Sequence, residues 1–274
     1  MIPLISTIIP TFNRCEFLME AVRSVLNQTD ENLEIIVVDD GSTDDTQKNL
    51  APLFNRIKYV YQENKGPASA RNRGIYESRG ELIAFLDSDD LWMPEKLKKQ
   101  RQLFEKDSSL MIAHTDEIWL RNGVRVNQMK KHKKAGGDIF ERSLDLCLVS
   151  PSAVMMRRMI FDAVGLWDDN LPFAEDYDLW LRILSRYPIG FIPEPLTIKR
   201  GGHPDQQSKK FVGGDKYRIF ALEKILDSGV LTEHQRDLVI NAIKKKCLIY
   251  GKGCIKHGKL EEGRKYLSVA EKYT

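Results

Sequence analysis

The sequence contains no long hydrophobic run and no closely paired cysteines. The amino-terminal stretch MIPLISTIIPTFNR lacks a basic leader, and its apolar run is too short to span a bilayer, so we expect a buried strand there. Cys15, Cys147, Cys247 and Cys254 form no CxxC pair, which argues against a disulfide framework or a zinc site and favours a reducing compartment. We therefore expect a cytoplasmic location, with peripheral contact at the inner face of a membrane left open.

Two glycine-rich phosphate-binding motifs are also absent. The first predicted strand runs into PTFNR, whereas dinucleotide-binding folds have a GxGxxG turn at this point. The P-loop pattern GxxxxGK followed by Ser or Thr does not occur in the chain. These absences argue against a dehydrogenase and against a P-loop ATPase.

The composition is that of an ordinary globular protein, with 42% hydrophobic and 30% charged residues. The net charge of +3 is unevenly distributed, because residues 199–274 carry 17 Lys and Arg against 9 Asp and Glu. Such a basic segment is compatible with a solvated helical face or with contact at an anionic membrane surface. We do not predict binding to nucleic acid.

Residues 1–90 alternate between predicted strands and helices. The apolar runs ISTIIP, LEIIVVDDGS, IKYVYQE and ELIAFLDSDD are typical of parallel strands that helices cover on both faces. Helical periodicity in EFLMEAVRSVLNQ, between the first two runs, completes a βαβ unit. We therefore predict an α/β fold with a Rossmann-like, mostly parallel sheet flanked by helices. Ligands of such sheets bind at the carboxyl ends of the strands.

The rest of the chain continues the sheet and then becomes helical. We predict a helix that begins near Pro94, and strands in SLMIAHTDEIWL, SAVMMRR and FIPEPLTIKR. The basic stretch VNQMKKHKKAGGDIF has no periodicity and is predicted to be a mobile loop beside the site. Three helical segments follow from about residue 213, and His257 with Gly258 separates the last two. We predict one α/β domain over residues 1–210 and a small helical extension over residues 211–274.

Three acidic clusters lie at predicted strand ends and at one helix start: Asp39 with Asp40, the DSDD run from Asp87, and Glu175 with Asp176. The DSDD run concentrates negative charge beside a low-dielectric sheet, which is unfavourable unless a cation neutralises it. Mn²⁺ or Mg²⁺ with carboxylate and phosphate ligands is the simplest such cation. The alternative is that these acids cap helices, with Asp90 capping the helix near Pro94.

His203 lies in the glycine-rich segment KRGGHPDQQS after the last predicted strand. Its imidazole is a candidate ligand to the same metal, and a histidine of an ordinary surface loop is the alternative. Asp205 is a weaker candidate ligand.

Five segments together resemble the inverting GT-A glycosyltransferases of family 2, over roughly residues 3–205. They are TIIPTFNR, IIVVDDGSTDDT, NKGPASARNRG, AFLDSDD and FAEDYDLWLR, and they occur in the order found in that family. The resemblance implies a GT-A fold whose larger domain binds a nucleotide sugar and is catalytic. The residues that it places at the nucleotide are Pro10, Thr11, Phe12, Asn13, Arg14, Asp39, Lys65, Arg71, Asp87 and Ser88. Within the DxD motif it assigns Asp89 to the metal, and at the late helix it makes Asp176 the general base with Glu175 beside it.

Glycosyl transfer gives each of these groups a task. A divalent ion stabilises the charge on the departing diphosphate, and a carboxylate takes the proton of the acceptor hydroxyl. A base opposite the leaving group implies inversion at the anomeric carbon. We predict sugar transfer from a nucleotide diphosphate donor, which Asp39 by resemblance makes a UDP-sugar, to a hydroxyl in cell-surface polysaccharide or glycolipid synthesis. The alternatives are a catalytically inactive nucleotide-sugar-binding scaffold and a sugar nucleotidyltransferase.

Trp92, Trp167 and Trp180 lie close in sequence to the acidic clusters. Aromatic faces are good platforms for sugar rings, but core packing is the commoner role, and we predict it for all three.

Overall fold

The computed structural model describes residues 2–203 and 213–273. Residues 5–85 form the predicted alternation of strands and helices. The strands are β1 (Ile5–Thr11), β2 (Leu33–Asp39), β3 (Lys58–Tyr61) and β4 (Leu82–Phe85), and the helices are α1 (Cys15–Leu26), α2 (Thr46–Leu50) and α3 (Pro67–Glu77).

The first four strands are parallel neighbours in the order β3-β2-β1-β4. In register, Thr11 lies beside Asp39, and Asp39 lies beside Tyr61. β4 ends at Phe85, which lies beside Ile8 of β1, so the chain leaves β4 toward the same edge. The carboxyl ends of these strands therefore open on one edge of the sheet, as predicted.

Residues 91–201 extend the same sheet with mixed strand directions. The further strands are β5 (Leu91–Trp92), β6 (Ile112–Arg121), β7 (Val124–Val126), β8 (Val154–Arg157) and β9 (Ile189–Gly201). The order continues from β4 through β8, β6 and β9 to β5, and β7 pairs with β6. The helices of this part are α4 (Lys96–Lys106), α5 (Phe140–Asp145), α6 (Ile160–Val164) and α7 (Glu175–Leu184).

Strand β9 matters most for the site. It runs parallel to β6 and then pairs with β5, where Ile198 lies beside Leu91 directly after the DSDD run. This pairing brings Lys199 and Arg200 to the acidic turn. The predicted α/β fold is confirmed, and its parallel pairs are β1 with β2, β2 with β3, β1 with β4, and β6 with β9.

The central strands are buried on both faces. Ile8 and Phe85 belong to one apolar cluster, whereas Ile9 and Ala84 belong to another. Because successive side chains of a strand point to opposite faces, the two clusters lie on opposite sides of the sheet. This double burial is why these strands read as continuous apolar runs rather than as alternating ones.

The described residues after 213 form the three predicted helices, α8 (Asp215–Asp227), α9 (Glu233–Lys256) and α10 (Leu260–Lys272). Thr232 precedes α9 and forms a capping box with Gln235. The Thr232 hydroxyl accepts from the backbone N–H of Gln235, and the backbone N–H of Thr232 donates to Gln235 Oε1. The predicted break between α9 and α10 is confirmed, and Gly258 there has a φ of +79°, which glycine adopts without strain.

These helices pack on the rest of the chain. Leu222 of α8 and Ile243 of α9 belong to the same apolar cluster as Trp180 of α7. The predicted domain boundary at residues 210 and 211 falls outside the described residues, so the division stays a prediction. Within residues 2–203 and 213–273, no helix is long and apolar enough to cross a bilayer.

The helix cap predicted for Asp90 is wrong. Helix α4 begins at Lys96, and Glu95 occupies the position before its first turn. Asp90 is instead buried, and its carboxylate accepts from the backbone N–H of Arg200 in β9.

Candidate active site

Asp39, at the end of β2, is held by two hydrogen bonds. Its carboxylate accepts from the backbone N–H of Ser42 at 2.8 Å and from the hydroxyl of Tyr59 at 2.8 Å. Burial and the bond to Asp39 raise the pKa of Tyr59, so the hydroxyl stays a donor. The carboxylate is therefore fixed at the edge where β1 and β2 end.

Asp40 has a different task. It accepts hydrogen bonds from the side chain of Gln62 and from the backbone N–H groups of Lys65 and Gly66, at 2.7–2.9 Å. Burial raises the pKa of Asp40 in spite of these bonds. Asp40 thus shapes the loop that carries Lys65 and begins α3, and it places Lys65 at this edge through the backbone.

The turn after β1 is tied to the turn after β2. The backbone N–H of Asn13 donates to Ser42 Oγ at 2.9 Å, and Asn13 Oδ1 accepts from the backbone of Thr43 at 2.7 Å. Asn13 itself lies in the left-handed region, with a φ of +50°. Phe12 in this turn is 43% exposed, which is unusual for a large apolar side chain next to a buried strand. The segment from Pro10 to Arg14 therefore forms one fixed wall of an open edge.

Arg71 of α3 is buried between two acidic groups that are distant in sequence. Its guanidinium lies 2.7 Å from Asp87 Oδ1 and 3.0 Å from Glu175 Oε1, and it stacks 4.5 Å from the centre of the Trp167 ring. Burial lowers the pKa of Arg71, but the charges of Asp87 and Glu175 raise it further, so Arg71 remains a cation. Arg71 thereby joins the DSDD turn to the start of α7.

Glu175 faces this arginine rather than an open pocket. It is 4% exposed, and burial raises its pKa although Arg71 opposes the rise. Its observed contact is thus the ion pair with Arg71.

Asp89 has two basic partners on one oxygen. Its Oδ2 lies 2.7 Å from Arg14 Nη1 and 2.8 Å from His203 Nε2. His203 directly follows β9, and it packs with Phe17 at 5.1 Å between ring centres. The loop histidine therefore does fold back onto the DSDD turn, whereas Asp205 lies outside the described residues.

Asp89 and His203 are suited to a divalent cation. A carboxylate oxygen and an imidazole nitrogen that meet within 2.8 Å are ligands that Mn²⁺ accepts, and Arg14 shows that this oxygen already attracts positive charge. Among the described residues, no group of three or more His, Cys, Asp or Glu side chains forms a metal site by itself. Metals that act on phosphates commonly have one or two protein carboxylates and take further ligands from substrate and water.

Asp90 holds the DSDD turn in place from its buried side. It is 2% exposed and accepts hydrogen bonds from Ser152 Oγ at 2.6 Å and from the backbone N–H of Arg200 at 2.8 Å. Burial, together with the charges of Asp89 and Asp87, raises its pKa well above the usual range. Ser152 also accepts from the backbone of Asp87 at 3.1 Å. These bonds fix the shape of the turn, and Ser88 within it is buried.

The three acids in the first turn of α7 differ in their surroundings. Asp178 is buried in ion pairs with Arg182 at 2.6 Å and Lys224 at 3.0 Å. Asp176, in contrast, is half-buried and has no ion pair among the described residues. Of the three acids it is therefore the one available to a substrate.

Cys147 lies next to Asp176. Its thiol donates to Asp176 Oδ2 over 3.5 Å, and burial together with Asp176 raises the pKa of Cys147 well above its usual value. The thiol therefore stays protonated and acts as a weak donor to the carboxylate.

Several residues of the site were not predicted. Arg200 donates to the carbonyl of Asp89 and to Glu20, and Lys199 lies 3.3 Å from Ser150 Oγ. The signal in the sequence is the basic pair at the end of the apolar strand FIPEPLTIKR, because a strand that ends in cations complements one that ends in DSDD.

The basic stretch over residues 126–140 was predicted to be a loop. It contains a short 3₁₀ helix, Lys130–His132, and the side chain of Lys134 after it is buried. Lys134 and Glu117 are both buried and lie 3.1 Å apart. Although burial raises the pKa of Glu117, Lys134 and Lys199 lower it to about 2, so the pair is ionic.

The three tryptophans near the acidic clusters are core residues, as predicted. Trp92, Trp167 and Trp180 are 4%, 2% and 2% exposed. Trp167 and Trp180 pack edge to face, with ring centres 5.5 Å apart.

Residues 6–165 match the model of the family described as glycosyl transferase family 2. The chain belongs to this family. The predicted class of enzyme, a glycosyltransferase, is therefore confirmed, and the first matched strand and the DSDD turn both lie within the matched residues.

Curated relatives support the same family. TuaG of Bacillus subtilis (strain 168), whose name assigns it provisionally to teichuronic acid biosynthesis, is 42% identical over 188 residues, which are 67% of this chain and 73% of TuaG. An uncharacterized glycosyltransferase of Rickettsia conorii is 35% identical over 219 residues, which are 78% of this chain and 35% of that protein. Chondroitin synthase of Escherichia coli is 30% identical over 212 residues, which are 76% of this chain and 30% of that enzyme. The chain thus spans about a third of the length of the last two relatives.

Solved structures share the fold. S. aureus TarS 1-349 in complex with UDP-GlcNAc has a TM-score of 0.70 at 18% identity, covering 98% of this chain and 91% of that one. The mannosyltransferase PcManGT of Pyrobaculum calidifontis, in complex with GDP-Man and Mn²⁺, has a TM-score of 0.66 at 17% identity, covering 98% and 75%. At these identities the likeness shows the fold alone, and it confirms the predicted GT-A architecture.

Proposed function

We propose that this chain is a metal-dependent, inverting glycosyltransferase that transfers a sugar from a UDP-sugar to an acceptor hydroxyl. The observation that carries the proposal is the pairing of Asp89 with His203 at one edge of the sheet, with the half-buried Asp176 linked to the same turn through Glu175 and Arg71. In this arrangement the donor binds at the DSDD turn and the base lies at the start of α7, and Arg71 joins the two through its ion pairs with Asp87 and Glu175.

In this proposal, Asp39 and the wall from Pro10 to Arg14 hold the nucleotide. Asp39 is fixed by Ser42 and Tyr59, so its carboxylate needs no reorganisation when the donor binds. Phe12 offers an exposed ring at this wall. Lys65, with Asp87 and Ser88, completes the donor end.

Asp89 and His203 would hold Mn²⁺ or Mg²⁺, and Arg14 would move from Asp89 Oδ2 toward the diphosphate. When bound, such an ion stabilises the negative charge that develops on the departing nucleoside diphosphate. Arg71 keeps Asp87 in place for this, because its second partner Glu175 fixes the guanidinium.

Asp176 takes the proton of the acceptor hydroxyl as that oxygen attacks the anomeric carbon. A positioned base of this kind contributes roughly 10²–10⁴-fold to the rate. Attack from the side opposite the diphosphate inverts the configuration at that carbon. Cys147 donates to Asp176 Oδ2 and the backbone N–H of Tyr177 donates to Oδ1, so the carboxylate is held in place while each oxygen keeps a lone pair for the acceptor hydroxyl.

The proposed donor and acceptor classes are supported by the comparisons with known proteins. Two structures of similar fold are described with UDP-GlcNAc and with GDP-Man and Mn²⁺, which supports a nucleotide diphosphate sugar and a divalent metal. Two relatives are named for teichuronic acid biosynthesis and for chondroitin synthesis, which supports polysaccharide assembly. A cytoplasmic location and contact with an anionic membrane stay predictions.

The test separates binding from chemistry. Purified protein with Mn²⁺ is given a panel of UDP-sugars, and UDP release is measured with and without an acceptor mixture, alongside UDP binding by calorimetry. We expect Asp89→Asn to weaken Mn²⁺-dependent UDP binding at least tenfold, and Asp176→Asn to keep that binding and lose transfer. Asp169→Asn, on an exposed residue, is the matched control and should behave as the native protein does.

Two outcomes contradict the proposal. Equal loss of UDP binding in the Asp89 and Asp176 variants would show that these residues do not divide donor and acceptor roles. Tight UDP binding with no UDP released from any donor, with or without acceptor, would favour a nucleotide-sugar-binding scaffold instead.

A further inference from the structure

One tryptophan differs from the other three. Trp119 of β6 is half-buried, and its Nε1 donates to Glu117 Oε2 at 2.8 Å. Its partner in the neighbouring strand β9 is Lys199. Because paired residues of adjacent strands share a face, as do residues two apart, Glu117, Trp119 and Lys199 lie on one face of the sheet.

His132 borders this face. Its ring centre lies 5.2 Å from that of Trp119, at an interplanar angle of 60°. Burial and the charge of Lys131 lower the pKa of His132, so the ring is neutral at pH 7. Lys130, Lys131 and Lys133 around it are exposed, and none of these three has an ion pair among the described residues.

Lys199 connects the aromatic pair with the proposed reaction centre. Burial lowers its pKa, but nearby carboxylates raise it above the ordinary value, so it remains a cation. The carboxylates that do so are Glu117, Asp90, Asp87 and Asp176. One donor of its ammonium is directed to Ser150 Oγ. A lysine ammonium has three donors, so Lys199 can donate to a ligand as well as to Ser150.

We propose that Trp119, His132 and Lys199, called here the Trp119 face, form the acceptor subsite, and that this subsite takes a saccharide carrying an anionic group, either a carboxylate or a phosphate. This inference rests on the proposed function, since it assigns the substrate class of the same site. An aromatic platform with a few placed polar groups is the usual composition of a ligand site. The acids at Asp87 to Asp90 repel an anionic acceptor, and Lys199 with the three exposed lysines offsets that repulsion.

The test is direct binding to the full chain, without donor or metal. Tetragalacturonate, maltotetraose 1-phosphate and neutral maltotetraose are titrated by saturation-transfer NMR and calorimetry. We expect each of the two anionic probes to bind at least about tenfold more tightly than the neutral one, because a charge-assisted hydrogen bond to the anionic group adds to the affinity. Whichever anionic probe binds more tightly identifies carboxylate or phosphate as the group recognised.

Variants then assign the binding to the Trp119 face. Trp119→Ala should weaken all three probes about tenfold, whereas Trp119→Phe keeps a ring and should lose less. Lys199→Met should abolish the preference for the anionic probes, and Lys199→Arg should retain it. Phe220→Ala and Lys252→Met, which change an exposed ring and an exposed charge in the carboxyl-terminal helices, should leave binding unchanged.

UDP binding with Mn²⁺ is measured on the same samples, so that the two proposals fail separately. If UDP binds but the neutral probe binds as well as the anionic ones, or Trp119→Ala and Trp119→Phe leave binding intact, the Trp119 face is not the anionic acceptor subsite. If the anionic probes bind with the predicted variant effects but UDP does not bind, the proposed function fails, and the Trp119 face is a saccharide site without the acceptor role.

Discussion

Replacing Arg71 with methionine should destabilise the protein strongly and in a pH-dependent way. Arg71 lies 2.7 Å from Asp87 and 3.0 Å from Glu175, and its side chain is 5% exposed. Removing one partner of a buried ion pair costs about 3–5 kcal/mol, because the other charge is left buried and unpaired. Asp87 is 28% exposed and regains water, so we expect the lower end, about 3 kcal/mol.

The pH dependence follows from Glu175. Burial raises its pKa in the folded protein, and loss of the arginine raises the pKa further. An acid whose pKa is raised by folding binds more protons in the folded protein than in the unfolded chain. The free energy of unfolding therefore falls as the pH rises from the pKa of an unfolded glutamate, about 4.3, to the raised pKa of the folded protein. The deficit of Arg71→Met relative to the native protein should therefore be larger at pH 8 than at pH 5.

The assay is urea unfolding at both pH values, followed by circular dichroism. A loss of about 3 kcal/mol corresponds to a fall in melting temperature of about 6–12 °C for a domain of this size. Arg73→Met is the matched control, since Arg73 pairs with Glu77 on the same helix but is 48% exposed, and it should cost less than about 1 kcal/mol. Equal losses in the two variants, or a deficit at Arg71 that does not change with pH, would refute the reasoning.

Two further changes test other parts of the fold. Lys134→Met leaves Glu117 without its buried partner and should lower the free energy of unfolding by about 3 kcal/mol at pH 7, measured by urea unfolding. The pKa of Glu117 is lowered to about 2 in the folded protein, so the pair stabilises fully above the pKa of an unfolded glutamate and this contribution is lost as the pH falls toward 2. A deficit of the same size at pH 2 would contradict this account. Thr232→Ala removes the cap of α9 and should lower the free energy of unfolding by about 1 kcal/mol, whereas Thr232→Ser should be nearly neutral, and equal effects of the two would show that the cap does not stabilise the helix.

Strand-end chemistry was the part of the site that could be predicted. Asp39 and Asp87 directly follow apolar runs, and Asp89 comes two residues after Asp87. Parallel strands that are buried on both faces bring such ends to one edge. The cap assigned to Asp90 was wrong because a capping pattern is a local signal, whereas Asp90 is bound by Ser152 and Arg200, 62 and 110 residues away.

The sequence by itself determined the α/β class, the acidic edge and the family, because each depends on residues that are near one another along the chain. Only the tertiary structure decided which partners those acids have. Arg71 meets Glu175 across 104 residues, and His203 meets Asp89 across 114. It also separated Trp119, on a half-open sheet face, from the three buried tryptophans. Burial and pairing at such separations arise from how β9 and α7 pack against the first strands, and no local pattern encodes that packing.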